Sequence, residues 1–172
     1  MSARRVLGYP DPRLREKARE VTAFGEAATA LAKDLIDTLR ADGPAIGLAA
    51  TQIGEPLRML LVDMSGTGDA PEIYVNPEIL ADAQPGIAEE RCLSVPDLVV
   101  RGFRASLLKV RFQDCQGETH ERVLEGMQAV CFQHELDHFE GKLLVDRLWF
   151  PRRAWYDWRH KAPTPAPAIE AS

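Results

Sequence analysis

The chain has 172 residues, 45% of them hydrophobic, and a formal net charge of −5, which suits one compact domain. The acidic balance argues against DNA or general nucleic-acid binding, and no stretch approaches the roughly 20 apolar residues of a membrane span. Met1-Ser2-Ala3-Arg4-Arg5 lacks the apolar run of a secretory signal. Three cysteines without framework spacing suit a reducing compartment.

In chain order, Leu31, Leu35 and Leu39 recur one helical turn apart and predict a helix over Glu26 to Arg40, ended by Asp42-Gly43-Pro44. The next stretch, Gly43 to Gln52, is rich in small residues that let backbone approach a ligand closely. Its Gln52 amide can donate to an oxyanion. Taken alone, the stretch reads as a helix C-terminus with a tight loop. Leu57 to Asp63 and Glu72 to Val75 read as strands flanking the Ser65-Gly66-Thr67-Gly68-Asp69 loop. Leu108, Val110 and Phe112 alternate within a strand over Ser106 to Gln113, and Gln116-Gly117 turns it into a second strand over Thr119 to Leu124. Gly126 opens a helix that ends near Gly141. Arg152 to Lys161 predicts a terminal helix packing its aromatic residues on the domain. The Pro/Ala-rich segment from 162 to 172 predicts a disordered tail, leaving 1–161 as the folded unit. Strands followed by a helix, without strand–helix–strand alternation, predict an α+β fold of one domain.

The most specific pattern is Gln133-His134-Glu135-Leu136-Asp137-His138. At 3.6 residues per turn both imidazoles share a helix face and can point at one cation, with Glu135 placed as a base. The apolar lead-in Ala129-Val130-Cys131-Phe132 argues against a solvated face, because buried polar groups need partners. A third ligand is then required. Gly141 fits the spacing of HExxHxxGxxH, but its last position is Leu144, which binds no metal. Asp146, Asp157 and Glu170 lack suitable surroundings. Upstream, Glu90-Arg91-Cys92-Leu93-Ser94-Val95-Pro96 offers a thiolate, and one Cys with two His and an open position is a coherent site for Zn²⁺ or Fe²⁺. Cys115 and Cys131 read as structural.

Together, Ala45-Ile46-Gly47-Leu48-Ala49-Ala50-Thr51-Gln52, Glu90-Arg91-Cys92-Leu93-Ser94 and Gln133-His134-Glu135-Leu136-Asp137-His138 resemble, in this order, the three motifs of the peptide deformylase family. The likeness extends from Pro10 to about Leu148. It implies antiparallel β-sheets around a central metal-binding helix, and hydrolysis of the formyl group of N-formylmethionyl nascent chains to release formate. It also implies that Cys92, His134 and His138 hold one divalent metal. That metal is Fe²⁺ by resemblance, while the donors also accept Zn²⁺, Ni²⁺ or Co²⁺. Glu135 becomes the base; Gln52 and the Leu93 N–H become the oxyanion donors. Ile46, Gly47, Met127, Val130 and Cys131 would line the methionine pocket, and a Glu90–Arg104 ion pair would orient a ligand histidine. Asp137 is left as a structural carboxylate. The chain departs from the family with Ala45 and Arg91 at glycine positions and with Val99 where many relatives carry an arginine. The family further implies a monomer of the bacterial cytoplasm, with Arg152 to Lys161 as a segment that could dock on a ribosome. Two other readings stay open: a non-catalytic metal- or peptide-binding relative, and a zinc endopeptidase.

Overall fold

The computed structural model describes residues 3–160, so Lys161 and the tail expected over 162–172 lie outside it. Helix α1 (Glu26–Asp42) starts after Gly25 and stops at Gly43, both at positive φ. Of the predicted stripe it buries Leu35 and Leu39, with Leu31 at the edge, and it adds Ala28 and Ala32 to the buried face. Within the small-residue stretch that follows, Gly47–Ala49 is a strand rather than loop, and Ala50–Ile53 is a 3₁₀ turn. β1 (Gly47–Ala49) pairs antiparallel with β2 (Met59–Val62), through Gly47 opposite Val62 and Ala49 opposite Leu60. Gly47, Leu48 and Ala49 carry little strand preference of their own; here the apolar partner strand supplies the ladder and the packing.

The larger difference lies downstream. β3 (Glu72–Cys92) and β4 (Val95–Gln113) form one long hairpin, where the sequence predicts only Glu72 to Val75 and Ser106 to Gln113. Pro77, Pro85, Gly86 and an exposed run over 78–87 that mixes apolar and polar residues without alternation hide the strand in β3. Register shifts between Val75 and Glu78 and between Ile79 and Ala81 absorb the first proline, which has no ladder N–H to give. β5 (Thr119–Glu125) completes a single antiparallel sheet of order β1-β2-β3-β4-β5.

Two helices sandwich its first strands. Leu48, Met59, Leu61 and Val75 face α1, whereas Ala49, Leu60, Val62 and Tyr74 face α2 (Gly126–Phe139), as strand alternation requires. Tyr74 stands edge-on to Phe112 and Phe132, with ring centroids 4.6 and 5.1 Å away, and ties α2 to the sheet. Gln133 adds a polar clamp: its Nε2 donates to the Ala105 carbonyl (2.8 Å) and its Oε1 accepts from the Ala105 N–H (3.2 Å).

A third apolar cluster joins Leu7 and Leu14 to Val95, Leu98, Val100, Leu144, Val145 and Tyr156. Tyr156 lies on α3 (Phe150–Arg159) and its hydroxyl donates to the Pro96 carbonyl. The expected burial of the terminal aromatics holds for Tyr156 only. Trp155 and Trp158 are 54% and 75% exposed, because a ten-residue helix lying on the surface turns one face inward. No helix among the described residues is long and apolar enough to cross a membrane.

Asp146 anchors this end of the molecule, in a 3₁₀ turn over Leu144–Arg147. Burial pushes its carboxyl up, but bonds from Arg15, the Leu143 N–H and Arg153 outweigh that and hold it at about 2. An unfolded Asp titrates near about 3.9. The folded chain therefore resists protonation, and this contribution to stability is complete above about pH 4 and lost as the pH falls towards 2. Asp146→Asn will lower the melting temperature at pH 7 and flatten its decline between pH 4 and 2; thermal melts across that range check it.

Candidate metal centre and active-site cleft

The i,i+4 spacing on α2 brings the His134 and His138 rings edge to face, centroids 5.2 Å apart. Cys92 reaches them from the tip of the long hairpin, where Leu93 and Ser94 form a two-residue turn between Cys92 and its partner Val95. Cys92 Sγ lies 3.3 Å from His138 Nε2, and the three donor atoms of Cys92, His134 and His138 fall within 4.8 Å of one another. The predicted triad is thus assembled from two elements 42 residues apart in sequence.

Both histidines are buried, at 8% and 2% exposure. His134 Nδ1 donates to Glu90 Oε2 (2.8 Å), which leaves its Nε2 for the cluster. Glu90 is in turn held by Arg104, as expected, through two bonds of 2.9 and 3.0 Å. Burial raises the Glu90 carboxyl, yet the bonds from His134 and Arg104 bring it down to about 2. Burial drives His138 well below its ordinary value, reinforced by His134, and its Nδ1 has no partner among the described residues. Burial lowers His134 too, but Cys92 and Glu90 raise it to about 10. A thiol and two imidazoles with Nε2 turned inward form a donor set that fits one soft-to-borderline divalent ion.

Glu135 is buried beside the triad, with Oε2 unpartnered among the described residues. Desolvation lifts its carboxyl to about 7, partly opposed by His134. Gln52 lies within the 3₁₀ turn Ala50–Ile53 after β1 and is 2% exposed. Its Oε1 accepts from the Ala49 N–H (2.8 Å), so Nε2 must face the other way, towards Ser94 Oγ (3.1 Å) and Cys92 Sγ (3.6 Å). Cys92, His134, Glu135 and the Gln52 amide open onto a cleft of about 500 Å³, with His138 behind them. Its walls include Ile46, Gly47, Leu93, Met127, Val130 and Cys131, so every residue expected to line the substrate pocket reaches one cavity. Burial raises the Cys131 thiol well above its ordinary value, with Glu135 adding to the shift, and its Sγ lies 3.5 Å from the Ile46 carbonyl.

Four contributors escape the sequence reading. Ser94 steadies the Gln52 amide, and Gln133 pins the metal-site helix to β4. Asp137, read as a structural carboxylate, accepts from both Arg104 (2.7 Å) and Arg147 (3.1 Å). Arg147 carries no sequence signal at all, since its partners lie on other elements.

The profile of the family described as "Polypeptide deformylase" matches residues 3–153. The chain belongs to the polypeptide deformylase family. It is 40% identical over 151 residues to a peptide deformylase of Afipia carboxidovorans, covering 86% of this chain and 88% of that one. It is 42% identical over 146 residues to peptide deformylase 2 of Xanthomonas campestris, covering 83% and 85%. The crystal structure of a peptide deformylase from Legionella pneumophila superposes with a TM-score of 0.84 at 36% identity, over 94% of this chain and all of that one. Polypeptide deformylases are metal-dependent hydrolases that remove the N-terminal formyl group.

The two departures from the deformylase motifs can now be placed. Ala45 packs beside the α1 cluster and lines the cleft. Arg91 is exposed at the cleft wall, with no ion-pair partner among the described residues. Neither displaces a triad residue. Gly47, which the motifs keep, has no room for a side chain: a Cβ there would stand 2.5 Å from both Cys131 Sγ and Glu135 Oε1. Gly47→Ala will push the Glu135 carboxyl out of place and lower turnover by about 10²-fold, the usual scale for an ångström of misplacement. Steady-state kinetics beside metal content will separate this from metal loss.

Proposed function

We propose that this chain deformylates N-formylmethionyl peptides and nascent chains through the residues assembled in the cleft. Cys92, His134 and His138 hold the single divalent metal. The observation that carries the reading is the clustering of the three donor atoms of Cys92, His134 and His138 at the wall of one cleft that Glu135 and the Gln52 amide also line. When bound, the metal supplies a Lewis acid that acidifies water and polarises a carbonyl.

The remaining work falls to the protein. Glu135, lifted to about 7, accepts the water's proton at neutral pH and later delivers it to the leaving amine nitrogen. Gln52 Nε2 and the Leu93 backbone N–H donate to the formyl oxygen as it becomes anionic. Ile46, Met127, Val130 and Cys131 take the methionine side chain in an apolar wall. The close approach of the Gly47 backbone to Glu135 restricts the acyl position, so a group bearing only hydrogen enters and a methyl group does not.

In this reading the native metal is Fe²⁺, with Zn²⁺, Ni²⁺ and Co²⁺ as substitutes for the same donors. Residues 1–161 form the catalytic unit of a monomer in the bacterial cytoplasm. The exposed Trp155 and Trp158 on α3 are the surface it offers to a ribosome, and co-sedimentation of a Trp155→Ala, Trp158→Ala variant checks that contact.

The deciding assay is formate release from formyl-Met-Ala-Ser against acetate release from acetyl-Met-Ala-Ser, by protein prepared anaerobically with Fe²⁺. Formate release alone supports the reading. Cleavage of neither peptide by folded, metal-loaded protein favours a binding protein, and internal peptide cleavage favours an endopeptidase.

A further inference from the structure

Glu90 sits at the centre of a charge cage that is larger than the pair with Arg104. Its Oε1 accepts from Arg104 Nε (3.0 Å) and Arg147 Nη1 (2.7 Å); its Oε2 accepts from Arg104 Nη2 (2.9 Å) and His134 Nδ1 (2.8 Å). A carboxylate offers about four lone-pair sites, so all of them are taken. Asp137 closes the ring, because its Oδ2 accepts from Arg104 Nη2 (2.7 Å) and Arg147 Nη2 (3.1 Å). Two carboxylates face two guanidiniums, and among the described residues the only other side-chain donor to the ring is His134.

The backbone is shaped for this arrangement. Ala88 and Gly102 are opposite each other in the β3–β4 register, which makes the hairpin thin beside Glu90. The Arg147 guanidinium occupies that space: a Cβ on Gly102 would stand 2.6 Å from Nη1 and 3.9 Å from Glu90 Oε1. The turn that carries Arg147 is itself fixed by Leu144 and Val145 in the core and by Asp146 accepting from the Leu143 N–H.

The geometry points to Arg147 as a positioning residue of the metal centre, seated by Gly102 and coupled through Glu90 to the orientation of His134. Arg104 alone leaves Glu90 Oε1 with one donor and Asp137 with one, and its single guanidinium would be shared between two carboxylates. With Arg147 present, each Glu90 oxygen accepts two bonds and Asp137 a second, which stiffens the cage. Oε2 then stays aimed at His134 Nδ1, which keeps the proton on Nδ1 and Nε2 free for a metal. Asp137 gains a role as the counter-charge that holds both guanidiniums in register. Arg147 reaches two carboxylates with a planar fork, which a lysine ammonium cannot do. The inference rests on the reading that Cys92, His134 and His138 bind metal.

The test is Zn²⁺ affinity of the full chain, measured by competition with a chelating dye, for wild type, Arg147→Met, Arg147→Lys, Gly102→Ala, the Arg147→Met/Gly102→Ala pair and Cys92→Ala. Partners behind a ligand histidine typically matter by about 10–100-fold, so Arg147→Met is expected to weaken Zn²⁺ within that range and Arg147→Lys to recover part of it. Gly102→Ala keeps every charge and is expected to weaken Zn²⁺ by crowding Arg147. It should therefore add almost nothing in the Arg147→Met background, since two changes acting through one contact are not additive. Should Arg147→Met fail to fold, Gly102→Ala and Arg147→Lys carry the comparison. Wild-type affinity in Arg147→Met, or an equal Gly102→Ala cost in both backgrounds, overturns the inference. Equal Zn²⁺ binding by wild type and Cys92→Ala overturns the metal-centre reading and this inference with it.

Discussion

Glu135→Gln will lower turnover of formyl-Met-Ala-Ser by about 10²–10⁴-fold, the range that a positioned acid–base group contributes, without reducing the amount of bound metal. The substitution keeps the volume under Gly47, where the present carboxylate leaves no space for another atom. It removes the buried acidic group that lies beside the triad and is free to cycle a proton, whereas Asp42 and Glu89 line the cleft from exposed positions. Glu90 is saturated by four hydrogen bonds and held near 2. Asp137 is tied to two arginines on the other side of His134. Glu135 is the reverse case: buried, with one oxygen unpartnered among the described residues and its carboxyl lifted to about 7. The triad Cys92, His134 and His138 is unchanged, so Zn²⁺ titration should still give one ion per chain. Near-normal turnover with metal bound would show that the proton moves by another route.

Gln52→Ala will lower turnover by about 10²–10³-fold, the cost of one oxyanion donor, again with metal retained. The amide's direction is decided by the backbone: with Oε1 committed to the Ala49 N–H, its NH₂ group is turned to the Cys92 and Ser94 side of the cleft. Gln52→Glu makes the sharper comparison. It can keep the Ala49 bond and the size of the side chain, but it replaces the donor with a second acceptor beside Cys92 Sγ. Both variants should be impaired in turnover more than in substrate affinity, because the interaction strengthens only as charge develops. A Gln52→Glu protein as active as wild type would end the oxyanion assignment.

What was legible in advance followed from local chemistry. The α1 stripe of leucines, the β4–β5 hairpin around Gln116-Gly117 and the shared face of His134 and His138 are each properties of one segment, read from its own period or turn residues. What was missed follows a different rule. β1 is Gly47-Leu48-Ala49, whose strand state depends on β2, and most of β3 is an exposed, proline-bearing strand of mixed apolar and polar residues whose state depends on β4. Trp155 and Trp158 read as core on composition, but only packing decides which face of a short helix is covered.

The same division runs through the functional residues. The amino-acid sequence by itself determined the metal-type His pair, the carboxylate beside it and, through three ordered motifs, the family. It nominated Cys92 by chemistry but could not place it, and it offered nothing for Arg147 or for the duty of Asp137. Those were decided by the tertiary structure, where Cys92 meets His138 across 46 residues and Arg147 meets Glu90 across 57. The physical reason is range. Helical and strand periods act over a turn or a pair of residues, whereas a metal cluster or a charge cage exists only after distant segments have been folded against one another, and each charge there is tolerable only because its partners arrive with it.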